Sequence, residues 1–284
     1  MRLLTAIPAP PIDNLEFGPL TLHLYGLCIG IGMVVAITLA EHLLRRRGVP
    51  LGNFYAVVIP AVIMGFVGSR IYHVLSEPRR YADAPGDIVQ VWNGGLGIYG
   101  AVIGGALTAW VLARRRGFPL GELLDAAAVG FPIAQAIGRV GNWVNQELFG
   151  GPTGLPWRLE VDALHRPARY ADDCCFHPTF AYEGLANLVL ATGLFVTHRR
   201  WGARPVGVLF ALYVAGYSAI RVFVEELRVD EAHEWFGLRQ NQWVALVLVI
   251  GGLAVAAALV RRQRRRGDAA ASAASMDVRE DRHY

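Results

Sequence analysis

Tyr213, Tyr217, Arg221 and Glu225 recur every four residues within one apolar stretch of the chain. On a helix that spacing drifts by only about 40° per step, so the four form one stripe. A second apolar stretch carries Asp125, Gln135 and Arg139, and the fourteen residues from Asp125 to Arg139 make nearly four turns, which puts both on one face. Pro132 lies between them and is expected to bend or interrupt the helix. A charged side chain at mid-bilayer costs about 2.5–3.5 kcal/mol on insertion scales, so these residues demand an explanation. Two arginines suit an anion, because a guanidinium fork matches phosphate oxygens bidentately and never loses its proton. At membrane depth the abundant anion is a phospholipid head group. The residues point to a lipid-phosphate site; composition leaves open whether the lipid is moved, bound or cut.

The elements that hold these residues follow from composition. Of 284 residues 54% are hydrophobic and only 18% charged, and the mean hydropathy is +0.36. Soluble domains carry about 25% charge. A disordered chain, a disulfide scaffold and an ordinary cytosolic enzyme all fit poorly. Seven apolar stretches stand out, roughly 22–44, 53–75, 95–113, 121–140, 178–198, 205–227 and 241–260, each about long enough to cross a hydrocarbon core of ~30 Å as a helix. The start, with Pro8, Pro10 and Pro11, lacks a signal peptide's apolar core and cleavage site, so the first span reads as retained. Arg45–Arg47, Arg114–Arg116, Arg199–Arg200 and the arginines from Arg261 to Arg266 follow the odd spans. The positive-inside rule then puts the N-terminus outside and the C-terminus in the cytoplasm. With the basic residues spent on topology, the net charge of +4 implies no nucleic-acid partner.

The expected fold is an all-α polytopic membrane protein of seven transmembrane helices with a small extracytoplasmic lobe. Residues 1–21 form an extracytoplasmic N-terminal segment, 22–260 the membrane domain with its lobe at about 146–177, and 261–284 a disordered basic cytoplasmic tail. This topology places Arg139, Arg221 and Glu225 near the outer ends of spans four and six. His23, Tyr25, Tyr99, His177, Tyr182 and Glu183 fall toward the same side on spans one, three and five. Buried ion pairs such as Arg221 with Glu225 could instead merely fix helix register. Gly94, Gly95, Gly97, Gly100, Gly104 and Gly105 crowd the third span and suit close helix packing. Cys174 and Cys175 are neighbours, an awkward geometry for a mutual bridge, and no Cys/His spacing suggests zinc or another metal. Cys28 reads as plain packing.

Residues 138–150, GRVGNWVNQELFG, fit the pattern G-R-x-G-N-x-x-N-x-E-x-x-G after a Pro-bearing apolar helix. LHLYG at 22–26, WNGGLGIYGAVIGG at 92–105, HPTFAYEG at 177–184 and the stripe from Tyr217 to Glu225 accompany it. Together these segments resemble the bacterial prolipoprotein diacylglyceryl transferases over nearly the whole chain.

That resemblance implies a multi-pass enzyme of the bacterial cytoplasmic membrane. It would move the diacylglyceryl group of phosphatidylglycerol to the lipobox cysteine thiol of exported prolipoproteins, making a thioether and releasing glycerol phosphate, without a cofactor. By resemblance Arg139 and Arg221 bind and stabilise the phosphate. Asn142 and Glu147 position the head group or the arginines, Glu225 holds Arg221, and Tyr25, Asn145, Gly150 and Tyr217 line the substrate site. One position departs from the pattern: where many members carry a histidine proposed as the base, this chain has Tyr99. A phenol ordinarily keeps its proton at neutral pH, so His177 stands beside Tyr99 as a catalytic candidate, although His177 could equally cap the helix before Pro178. A lipid or small-anion transporter is the alternative. It should show polar groups toward both faces and repeated halves, whereas no repeat is evident here. An intramembrane protease lacks its nucleophile turn or paired aspartates.

Overall fold

The computed structural model describes residues 6–17, 20–82, 84–90, 94–202, 204–229 and 234–280. Residues 1–5, Trp92, Asn93 and 281–284, which belong to segments discussed above, lie outside them. The helices are α1 (Leu24–Arg46), α2 (Phe54–Ser76), α3 (Pro78–Ala82), α4 (Ile98–Arg116), α5 (Leu120–Val144), α6 (Thr179–Arg200), α7 (Val208–Leu227) and α8 (Gln240–Glu280). Among the described residues six helices are long and apolar enough to cross a membrane: α1, α2, α5, α6, α7 and α8. The expected third span corresponds to α4, which is not one of these. Its 19 residues end on Arg114-Arg115-Arg116, and these charges lower the hydropathy of a window long enough to span.

The chain divides into two compact units, one of residues 1–40 and 124–284, the other of residues 41–123. In the first, α1 and α5 touch through small residues. A Cβ on Gly32 would lie 3.0 Å from the Ala134 carbonyl oxygen, and one on Gly130 would lie 2.9 Å from Ala36 Cα. Both helices thus carry small residues four apart at the contact, which lets backbones approach where lipid gives no hydrophobic drive. Pro132 sits inside α5 without ending it, so the expected interruption is absent. Fully buried Asp125 accepts the Gly207 and Phe210 backbone N–H groups, each at 3.0 Å. It thereby satisfies donors that the start of α7 would otherwise leave orphaned.

In the second unit α2 packs on α4 by the same device. A Cβ on Gly100 would fall 2.0 Å from the Gly68 carbonyl oxygen, and one on Gly104 would fall 2.4 Å from that of Met64. Gly100 and Gly104 of the third stretch are therefore packing glycines. Arg70 of α2 donates to the carbonyls of Asp87, Ile88, Gly94 and Gly95. It ties down the loop that leads into α4.

Short antiparallel strands modify the all-α expectation: β1 (Asn14–Phe17) pairs with β2 (Leu20–His23), β3 (Leu159–Glu160) with β4 (Cys175–Phe176), and β5 (Glu234–Trp235) with β6 (Leu238–Arg239). The β3–β4 pair anchors the lobe, where Phe149, Leu159, Val161 and Phe176 form a buried core. Cys174 and Cys175 are joined to each other by a disulfide, contrary to the expectation from their adjacency. At the C-terminal end α8 runs to Glu280; the alanines after Arg266 have high helix propensity and extend a helix already nucleated by the apolar part.

Candidate functional site

The signature segment is the end of α5 and the loop beyond it. Arg139 and Asn142 stand three apart on the last turns of α5, and the Arg139 guanidinium donates through Nη1 to Asn142 Oδ1 at 3.1 Å. Asn142 Nδ2 donates in turn to Glu147 Oε1 at 2.7 Å, and Asn145 Nδ2 approaches the same oxygen at 3.4 Å. Glu147 reaches back because the loop turns sharply. Gln146 and Leu148 hold positive φ angles of 51° and 57°, a left-handed conformation that costs a side-chain-bearing residue roughly 1–2 kcal/mol. Lobe contacts hold that strain in place. Gln146 Nε2 donates to Asp162 Oδ2 at 2.6 Å, Gln146 Oε1 accepts the Asp162 N–H at 2.7 Å, and Thr179 Oγ1 donates to the Leu148 carbonyl at 2.5 Å. Gly150 closes the loop against the strand that enters α6: its N–H donates to the His177 carbonyl at 2.9 Å, and a Cβ there would sit 2.7 Å from His177 Cβ.

The two arginines meet on one carboxylate. Arg139 Nη2 donates to Glu183 Oε1 at 2.7 Å and Arg221 Nη1 to Glu183 Oε2 at 3.3 Å. Arg221 Nη2 also donates to Glu225 Oε2 at 2.5 Å, one turn along α7. The Tyr217 hydroxyl lies 3.4 Å from Glu183 Oε1. Glu225 is shared further, with Arg239 Nη1 at 3.4 Å, Arg228 Nη1 at 3.9 Å and Asn241 Nδ2 at 3.1 Å. The Glu183 and Glu225 side chains keep 1% of their surface exposed while those of Arg139 and Arg221 keep 17%. The arginine side chains, not the carboxylates, keep surface that an incoming group can touch.

Arg139, Asn142, Asn145, Glu147, Tyr217, Arg221 and Glu225 are linked by hydrogen bonds and ion pairs within one unit, and Gly150 lies beside His177 in the same unit. Tyr25 joins them, with its ring against Gly141, where an added Cβ would lie 2.7 Å from Tyr25 Cδ2. The arginine stripe does hold the ion pair Arg221–Glu225, so the register role and the site coexist. His177 makes no side-chain cap on α6, whose N-cap is Pro178. Its Nδ1 lies 3.3 Å from the Tyr182 hydroxyl, which accepts the Trp157 indole N–H at 2.9 Å. Tyr99 belongs to the other unit, on the first turn of α4, half exposed with its ring 5.6 Å from that of Tyr72. Glu183 was missed as a site residue although it stands in the Tyr-Glu pair of HPTFAYEG; Arg239, which ends the β5–β6 hairpin, and Asn241 just after it carried no periodic signal. Among the described residues no group of His, Cys, Asp and Glu is gathered as a metal-binding set.

A family model described as prolipoprotein diacylglyceryl transferase matches residues 13–258. A phosphatidylglycerol–prolipoprotein diacylglyceryl transferase of Frankia alni is 47% identical over 253 residues, covering 87% of this chain and 66% of the relative. A Streptomyces coelicolor protein of that name is 44% identical over 256 residues (88% and 80%), and one from Cutibacterium acnes 44% over 254 residues (88% and 85%).

Proposed function

The chain belongs to the prolipoprotein diacylglyceryl transferase family, and on that premise we propose that its paired arginines hold the phosphate of phosphatidylglycerol while a lipobox cysteine takes the diacylglyceryl group. The observation that carries this reading is the convergence of Arg139 and Arg221 on Glu183 from two separate helices.

The reaction is displacement at a saturated carbon. A cysteine thiolate attacks the glycerol carbon that bears the phosphate, a C–S bond forms, the C–O bond breaks, and its electron pair leaves on glycerol phosphate. A free thiol titrates near about 8.5, so a base must take its proton. Negative charge then grows on the departing phosphate oxygen, where fixed guanidiniums in a low-dielectric site are most effective. Asn142 and Glu147 hold Arg139 in position from the strained loop, and Glu225 holds Arg221. Tyr25, Asn145, Gly150 and Tyr217 line the substrate site. Tyr99 and His177 are the candidates for handling protons.

The protein is a multi-pass membrane protein, and the reading extends to a bacterial cytoplasmic membrane with α4 as a seventh span. Arginine clusters at the ends of α1, α4 and α6 and along α8 support a cytoplasmic C-terminus and an outward-facing lobe and site. Residues 1–21 would then be extracytoplasmic and the membrane domain would run over 22–260. A transporter is not favoured, because the matching family and the named relatives are diacylglyceryl transferases.

The test is to incubate purified protein with labelled phosphatidylglycerol and a lipobox peptide and to find the diacylglyceryl thioether by mass spectrometry. In the same assay Arg221→Lys keeps the charge but loses the fork that reaches Glu183 and Glu225 together, and a drop of about tenfold to a hundredfold is expected. Wild-type turnover would reduce Arg221 to simple charge pairing. Tyr99→Phe is expected to retain most of the activity; complete loss would assign proton removal to Tyr99.

A further inference from the structure

One helical turn beneath the arginines, toward the middle of the same three helices, lies a second layer of polar groups, of which only Tyr217 belongs to the phosphate site. Gln135 precedes Arg139 by four residues on α5, Asn187 follows Glu183 by four on α6, and Tyr217 and Tyr213 precede Arg221 on α7. Each step of four is about 6 Å of rise. Asn187 is 0% exposed, and neither its Nδ2 nor its Oδ1 has a hydrogen-bond partner among the described residues. Gln135 donates through Nε2 to the Tyr213 hydroxyl at 2.9 Å, but its Oε1 is also without a partner. An unpaired buried polar group costs about 1–3 kcal/mol, and a leucine at position 187 would avoid it entirely. Intramembrane polar groups kept at such a cost read as functional. The α5–α6 seam beside Asn187 is less tight than the α1–α5 contact: a Cβ on Gly184 would sit at ordinary van der Waals distance, 3.9 Å from the Ala136 carbonyl oxygen and 4.0 Å from Arg139 Cβ.

Resting on the phosphate site proposed above, we infer that this layer, with Asn187 at its centre, receives an ester carbonyl of the lipid and makes the enzyme selective for ester-linked glycerolipids. A glycerophospholipid whose phosphate is held by Arg139 and Arg221 has its ester groups a few bonds deeper in the apolar slab. That is the direction in which Asn187 lies from Glu183. An ester carbonyl only accepts, and the Asn187 amide N–H groups and the tyrosine hydroxyls are the donors there. The esters take no part in the displacement, because the bond broken is the glycerol C–O bond to phosphate. A lipid with ether links in their place therefore keeps the reacting atoms and loses only the carbonyls.

The experiment compares kcat/KM for diacyl phosphatidylglycerol and for its dialkyl ether analogue, with the same lipobox peptide, in the full-length protein. Wild type is expected to prefer the ester by about tenfold, the value of one donor left unpaired. Asn187→Leu removes two unpaired atoms and is expected to unfold at an equal or higher temperature without lipid, yet to lose that preference through a lower kcat/KM on the ester. Equal use of both lipids by wild type, or an ester preference that survives Asn187→Leu unchanged, overturns the inference and shows that the amide orders at most a buried water. Should the leucine variant not accumulate as folded protein, Asn187→Ala is judged by the same ratio. The phosphate reading fails separately, through an Arg139→Ala variant that still turns over.

Discussion

Arg139→Ala is expected to lower transfer by at least about a thousandfold while the protein still inserts. Loss of a single preorganised donor to a developing oxyanion costs about a hundredfold to a thousandfold, and Arg139 does more than donate. It ties Glu183 to Asn142, and through Asn142 to Glu147 in the strained loop. Its removal therefore loosens the head-group end of the site as well as stripping charge from it. The same substitution leaves Glu183, buried on α6, with Arg221 as its remaining guanidinium partner. Removing one partner of a buried pair destabilises by about 3–5 kcal/mol, so loss of activity in that variant could reflect loss of folded protein. Combining Arg139→Ala with Glu183→Gln separates the two effects. The double variant should regain folded yield and thermal stability, because the uncompensated carboxylate is gone, and should still not transfer. Recovery of turnover in the double variant would make Arg139 a structural counter-ion and remove it from the chemistry.

Much of this site was legible in the sequence because helical spacing is rigid. Tyr217, Arg221 and Glu225 could only share a stripe, and the Gly-Arg-x-Gly-Asn signature could only fall at the end of α5 once the apolar run before it was read as a span. The packing glycines of α4 were legible for the same reason. What failed was what periodicity does not encode. The bridge from Glu183 to both arginines depends on how α5, α6 and α7 are rotated against each other. Nothing in HPTFAYEG states that its glutamate points between two guanidiniums rather than at one. Arg239, at the end of the β5–β6 hairpin, and Asn241, just after it, reach Glu225, and a hairpin of two-residue strands leaves no alternation to detect.

Glu183→Gln is the second substitution with a large expected effect, and its signature lies in how kcat and KM divide. The carboxylate accepts from Arg139 at one oxygen and from Arg221 at the other. A glutamine of the same shape keeps one acceptor and turns an N–H donor toward whichever guanidinium sits on the other side. One arginine is then released from its register, and kcat should fall by about tenfold to a hundredfold, because transition-state charge is stabilised only by groups already in place. The KM for phosphatidylglycerol should fall or stay level. With the buried anion neutralised, the arginines offer more positive potential to the ground-state phosphate, and a lipid anion no longer competes with an internal one. A purely structural Glu183 predicts something else: a smaller active fraction with KM and per-site kcat both unchanged. Titration of phosphatidylglycerol in mixed micelles, normalised to folded protein, separates these outcomes. A fall in kcat with a raised KM would instead mean that Glu183 holds the arginines for lipid binding itself, and that the carboxylate remains between them when the phosphate arrives.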